Sequence, residues 1–174
     1  MNQRALSRPA GFGAAQAVDW DRVYAEQLPR VYNFFRFRVR SLSDVEDLTA
    51  RTFEKAWVAR DRYRQDLAGF ATWLLAIARN VAIDHLRAKR AHVSIDVAVD
   101  IPIEATPERA AMEGSDIARL AQLTADLPER ERELLALKYG AAISNRQIAQ
   151  LTGLSESNVG TILSRTVERL RSEW

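Results

Sequence analysis

Cysteine is absent from the chain, and histidine is limited to His85 and His92. The first absence excludes disulfides, thiolate metal sites and thiol redox sensing by this polypeptide. Neither histidine sits in a metal-ligand spacing, so no metal or other cofactor is expected. No apolar run approaches the roughly 18 residues that span a bilayer, which excludes membrane insertion. The opening MNQRALSRPAGFGAAQAVDW has no apolar core of the signal-peptide kind, so the expected location is the cytoplasm. A large charge of one sign is also missing. The formal net charge of +2 excludes a generic polyanion binder and directs attention to where the charges sit. No glycine-rich phosphate loop, internal repeat or strand-like alternation occurs.

What is present is helical periodicity in 174 residues, enough for one domain or two small ones. The stretch Ser144–Arg171 carries the strongest pattern. Ile148, Ala149 and Leu151 form the inward face of a short helix, and Gly153 supplies a residue tolerant of left-handed backbone. Leu154 fills the corner, and Ser155 is a good N-cap for a second helix. On that helix Val159, Ile162, Leu163, Val167 and Leu170 recur at helical spacing. The alanine–glycine–valine spacing of Ala149, Gly153 and Val159 is that of a helix-turn-helix. Its outward side offers Ser157, Asn158, Thr161, Arg165 and Arg169, which combine hydrogen-bonding groups with phosphate-neutralising cations. A plain helical hairpin with a solvated polar face is the competing reading.

Residues 1–17 show no period and read as a mobile arm. Trp20, Val23, Tyr24 and Leu28 begin a helix that Pro29 is expected to break or kink, with Pro29 opening its continuation. Ser43 with Glu46 reads as a capping box at the start of the next helix. Val45, Leu48, Thr49, Thr52, Phe53, Ala56 and Trp57 form its inward face. Gln65–Gly69 reads as a loop. A long helix follows, with Phe70, Trp73, Leu74, Ile77 and Val81 inward and Arg79, Asn80, Ile83, Asp84, Arg87 and Arg90 around the other side. After Arg90 the composition turns acidic, with Pro102 and Pro107, which marks a connector. Thr106–Pro107 reads as a helix start, Pro128 opens a further helix, and Gly140 stops it. The expected fold class is all-α: two small helical domains, 18–92 and 115–174, joined by an acidic linker, 93–114.

The ordered set DVEDLTARTFEKAW (44–57), FATWLLAIARNVAIDHLR (70–87) and LPERERELLALKYG…IAQLTGLSESNVGTILSR resembles the extracytoplasmic-function (ECF) group of sigma-70 family sigma factors. The resemblance implies a region 2-like domain that binds a coiled coil on the largest subunit of RNA polymerase core. The matching positions are Asp44, Glu46, Asp47, Leu48, Arg51, Thr52 and Phe53. It implies recognition and melting of the minus-10 element by Arg62, Tyr63, Arg64, Arg79, Asn80, Arg87 and Arg90. It implies a region 4-like domain that meets the polymerase flap region and reads the minus-35 element. The matching positions there are Arg146, Ser155, Ser157, Asn158, Thr161, Arg165 and Arg169. An anti-sigma factor is a further implied partner, beside promoter DNA, and no catalysis is implied. The chain departs from the family pattern at Ala50 and Arg51, where members often carry Gln-Glu, and at Gly160 and Thr161. Three other readings stay open at this level: an ordinary helix-turn-helix regulator, a sigma relative that binds polymerase without initiating, and an enzyme. The enzyme reading finds no nucleophile or metal set beside Asp84 and His85.

Overall fold

The computed structural model describes residues 19–93 and 116–174, which form helices and turns and no strand. The expected arm and nearly all of the expected linker, with the Thr106–Pro107 helix start, lie outside the described residues.

Helix α1 (Trp20–Arg38) starts on Asp19, whose carboxylate accepts from the Arg22 amide at 3.2 Å. The expected interruption at Pro29 does not occur, because the helix runs through it. Pro29 and Ala25 both lie on the exposed side, so the carbonyl that proline leaves without an N–H partner opens to water. Helix α2 (Leu42–Val58) is capped by Ser41, not Ser43: the Ser41 hydroxyl accepts from the Asp44 amide, and Ser43 bonds to that hydroxyl instead. A serine three residues before an acidic residue also occurs two positions earlier, as Ser41-x-x-Asp44, and the extended backbone of Ser41 suits it to the N-cap. A single 3-10 turn, Arg60–Arg62, leads into the loop before helix α3 (Phe70–Val93).

These helices bury Val31, Phe34 and Phe35 of α1, Val45, Leu48 and Ala56 of α2, and Leu74, Leu75, Ala78, Val81 and Ala82 of α3. Each fully buried Phe or Leu contributes about 2 kcal/mol. Thr49 and Thr52 are buried too, and their hydroxyls donate to the carbonyls one turn back, Val45 and Leu48, at 2.7 Å.

The second group comprises α4 (Asp116–Ala125), α5 (Glu129–Leu135), a π-turn (Ala136–Gly140), α6 (Asn145–Thr152) and α7 (Glu156–Ser172). Arg132 fixes the corner between α4 and α5 by donating to the Thr124, Ala125 and Leu127 carbonyls. The π-turn closes with the Ala141 amide on the Ala136 carbonyl at 2.8 Å. It lies directly on α1. A Cβ at Gly140 would come within 2.8 Å of the Asn33 carbonyl oxygen, so glycine there permits close backbone approach as well as ending the helix. The two groups therefore share one buried interior, from Val31 through Leu134 and Leu137 to Val159.

Candidate nucleic-acid interface

The helix-turn-helix is built by local chemistry. Ser144 and Gln147 form a reciprocal capping box: the Ser144 hydroxyl accepts from the Gln147 backbone amide at 3.3 Å, and the Gln147 side-chain Oε1 accepts from the Ser144 backbone amide at 2.9 Å. This box is absent from the sequence expectations, although Ser-x-x-Gln is its signature. Gly153 takes φ 74°, the left-handed conformation expected of it, and its amide bonds the Ala149 carbonyl. Ser155 caps α7 by accepting from the Asn158 amide at 3.2 Å. Val159, Leu163, Thr166 and Leu170 face the interior.

That burial pattern turns Ser157, Asn158, Thr161 and Arg165 outward on one exposed side of α7. The Thr161 hydroxyl donates to the Ser157 carbonyl at 3.0 Å, leaving its acceptor lone pairs outward. Arg146 is exposed on α6. Two of the proposed minus-35 residues hold jobs inside the fold. The Ser155 oxygen is occupied by the cap. Arg169 pairs with Glu131 at 3.0 Å and approaches Glu173 at 3.9 Å, so its guanidinium is tied to α5.

The proposed minus-10 residues are strung along the first group and do not gather at one point. Arg62, Asn80 and Arg87 are exposed. The Tyr63 ring packs edgewise on Phe70 and tilted against Trp73, with centroids 5.3 and 5.1 Å away, and burial pushes its phenol above the ordinary value. Trp73 is half-buried in this aromatic cluster. Arg64 grips Asp66 through two bonds of 3.0 and 2.6 Å and holds that carboxyl below its ordinary range. Arg79 pairs with Glu133 of α5 at 2.7 Å, and Arg90 lies 3.9 Å from Glu129. Sequence reasoning missed these glutamates because their partners are far away in the chain.

On α2, Glu46, Asp47 and Arg51 are exposed. Asp47 and Arg51 approach each other at 3.9 Å, so the charge departure at Arg51 is met by its own helix. Asp44 faces α3, with His85 and Lys89 each 3.5 Å from its carboxylate. Phe53 is half-buried against Tyr24. Leu48 and Thr52 are 0% exposed. In this arrangement they hold α2 to the core and present no surface. Trp57 departs the other way, 51% exposed where an inward position is expected. Its ring lies at the end of α2, against Trp20 on one side and 4.4 Å from the Arg60 guanidinium on the other.

Among the described residues, no group of three or more His, Cys, Asp or Glu side chains could hold a metal, and no helix is long and apolar enough to cross a membrane.

Comparison with known proteins matches the arrangement to one family. Residues 23–92 match the family model of sigma-70 region 2, and residues 117–170 match that of sigma-70 region 4. The ECF RNA polymerase sigma factor ShbA of Streptomyces griseus is 30% identical over 97% of this chain and 93% of its own length. The ECF sigma factor BldN of Streptomyces coelicolor is 26% identical over 90% of this chain, which spans 61% of BldN. Among solved structures, the sigma factor RpoE of Bartonella quintana, crystallised with the anti-sigma factor NepR, superposes with a TM-score of 0.71. That likeness, at 20% identity over 88% of this chain and 95% of that one, is one of fold. Two matched regions in the family's order, on an all-helical frame that ends in a helix-turn-helix, make this chain a member of the sigma-70 family in its ECF group.

Proposed function

We propose that the protein binds RNA polymerase core and directs promoter-specific initiation without catalysis of its own. Residues 18–92 serve core binding and minus-10 recognition and melting; residues 115–174 read the minus-35 element. The observation that carries this reading is the outward side of α7. Ser157, Asn158, Thr161 and Arg165 are exposed together on a helix whose opposite side is locked into the interior. A helix presented in this way fits the major groove, where asparagine and arginine side chains read base edges.

In the first domain, Glu46, Asp47 and Arg51 supply a charged face for the coiled coil of the largest polymerase subunit. The half-buried Tyr63–Phe70–Trp73 cluster next to Arg62 offers an unstacked base an aromatic surface, and Asn80 and Arg87 offer polar contacts further along α3. The polymerase flap region, promoter DNA and an anti-sigma factor complete the proposed partners, and the cytoplasm is the proposed location.

Electrophoretic mobility shifts on genomic promoter fragments, with and without core polymerase, test the reading. A specific complex that needs core and this protein together supports it. A specific duplex complex formed by the protein alone overturns it in favour of an ordinary regulator.

A further inference from the structure

One carboxylate of α5 reaches α7 twice. Glu131 Oε2 lies 3.0 Å from Arg169 Nη2 and accepts from the Thr166 hydroxyl at 3.3 Å. That hydroxyl has one proton for two acceptors, because it also donates to the Ile162 carbonyl at 2.8 Å. The shared proton makes the Thr166 branch the weaker one and leaves Arg169 as the main tie. Glu173, at the end of α7, approaches the same guanidinium at 3.9 Å.

Thr166 is buried and Arg169 is exposed, and their spacing of three makes them neighbours on one flank of α7. Arg165, one turn before Arg169, belongs to the outward side. The tie to Glu131 therefore runs along the seam between the buried side of α7 and its outward side. Val159, Leu163 and Leu170 decide which side faces inward. Apolar contacts are non-directional, however, and set the rotation of a helix about its own axis only loosely. A charge-assisted bond is directional. A rotation of about 20° moves a side-chain tip by roughly 2 Å at the radius of a helix with its side chains. A base-edge hydrogen bond tolerates only a few tenths of an ångström.

We propose that Glu131 is a positioning residue for minus-35 readout. Through Arg169 and Thr166 it sets the rotation of α7, and with it the aim of Ser157, Asn158, Thr161 and Arg165 at base edges. Arg169 then serves Glu131 and not DNA phosphate. The inference rests on the reading of α7 as the minus-35 helix. It goes beyond that reading by giving a residue outside the helix-turn-helix a part in sequence discrimination.

Binding by the holoenzyme of core polymerase and the full chain tests it. The probes are two duplexes: a promoter fragment whose transcript start depends on the protein, and the same fragment with its upstream motif scrambled. The ratio of the two affinities measures discrimination, and the salt slope on the scrambled fragment counts phosphate contacts. Glu131→Ala removes the tie from α5, and Arg169→Ala removes it from α7 at an exposed position. Glu131→Gln keeps the shape and an acceptor oxygen. Far-UV circular dichroism checks that each stays helical, and Arg169→Ala carries the test alone if Glu131→Ala does not fold.

The expected result is a ratio about tenfold smaller in each alanine variant, the size of one lost base contact. The two changes combined lower it no further, because they break one tie. Glu131→Gln lowers it less, and Arg169→Ala leaves the salt slope where it was. A ratio unchanged in the alanine variants, with affinity lowered on both fragments alike, makes Glu131 purely structural and overturns the proposal. A salt slope lowered by about 1 in Arg169→Ala makes that arginine a phosphate contact and overturns it as well. Asn158→Ala tells the two failures apart. If it too leaves the ratio unchanged, α7 does not read the upstream motif and the positioning role falls with that reading. If it lowers the ratio while the alanine variants of the tie do not, the reading of α7 stands and the positioning role alone has failed.

Discussion

Arg79 Nε and Glu133 Oε1 lie 2.7 Å apart, joining α3 to α5 across 54 positions of sequence. Both side chains are largely shielded from water, so salt screens the pair less than an exposed one. A double-mutant cycle of Arg79→Ala and Glu133→Ala, read by urea unfolding, is expected to give a coupling of about 1–2 kcal/mol. A coupling near zero would make the contact incidental to the fold.

Arg38 presents a sharper contrast. Its side chain is 1% exposed, whereas that of Glu129 is 39% exposed. Desolvation pushes the Arg38 pKa below its ordinary value, and Glu129 offsets part of that push. Glu129→Ala leaves a buried charge without its partner, and with the exposure of Glu129 discounted the expected loss is about 1–3 kcal/mol. Arg38→Met removes the charge that needs a partner and keeps much of the volume. It is expected to lower the urea midpoint less than Glu129→Ala does.

Glycines 140 and 160 are expected to respond to alanine with opposite signs. At Gly160 an added Cβ meets only Asn145 Nδ2 at 3.5 Å, an ordinary contact, and the residue lies inside α7. Gly160→Ala is expected to stabilise by about 0.5–1 kcal/mol through helix propensity, seen as a raised Tm. At Gly140 the Cβ would lie 2.8 Å from backbone oxygen, so Gly140→Ala is expected to lower the Tm.

The turn makes a third expectation. A Cβ added at Gly153 would meet open space, but the φ there is 74°, so the cost of Gly153→Ala is all backbone, about 1–2 kcal/mol. Ala142 already takes φ 54° without being glycine. Ala142→Gly is therefore expected to be stabilising by about 0.5–1 kcal/mol, where glycine in any ordinary loop position would be destabilising. Thermal unfolding of the two variants checks both signs.

On the outward side of α7, Asn158→Ala and Arg165→Ala are expected to act differently in the polymerase–promoter complex. Loss of a base-edge contact at Asn158 costs about 1–3 kcal/mol on the preferred sequence and relaxes specificity at one position. Loss of a phosphate contact at Arg165 weakens binding to all sequences alike and lowers the salt slope by about 1. Salt titrations on preferred and altered promoters separate the two.

The helix-turn-helix is legible in the sequence because its determinants are local. Gly153, Ser155 and the apolar spacing from Val159 to Leu170 lie within one short stretch, and each does what its chemistry predicts. The cap of α2 falls two residues before its expected position because Ser41 and Ser43 offer the same side chain, and only the backbone conformation chooses between them. Pro29 does not break α1 because a proline on a solvent-facing turn costs less than one facing a core. Glu129 and Glu133 are illegible for a different reason. In PERERE they look like an ordinary solvated face, and only folding brings Arg38 and Arg79 to them from 91 and 54 positions away. Gly140 likewise reads as a helix stop until Asn33 lies against it.

Mapping of transcript starts on a genomic fragment library tests the central claim most directly, with purified core polymerase in the presence and absence of this protein. The account predicts starts that appear only with the protein and share two upstream motifs at fixed spacing. Those starts should be weakened in Asn158→Ala, with the upstream motif relaxed at one position, and weakened in Arg87→Glu. A set of starts identical with and without the protein would contradict it.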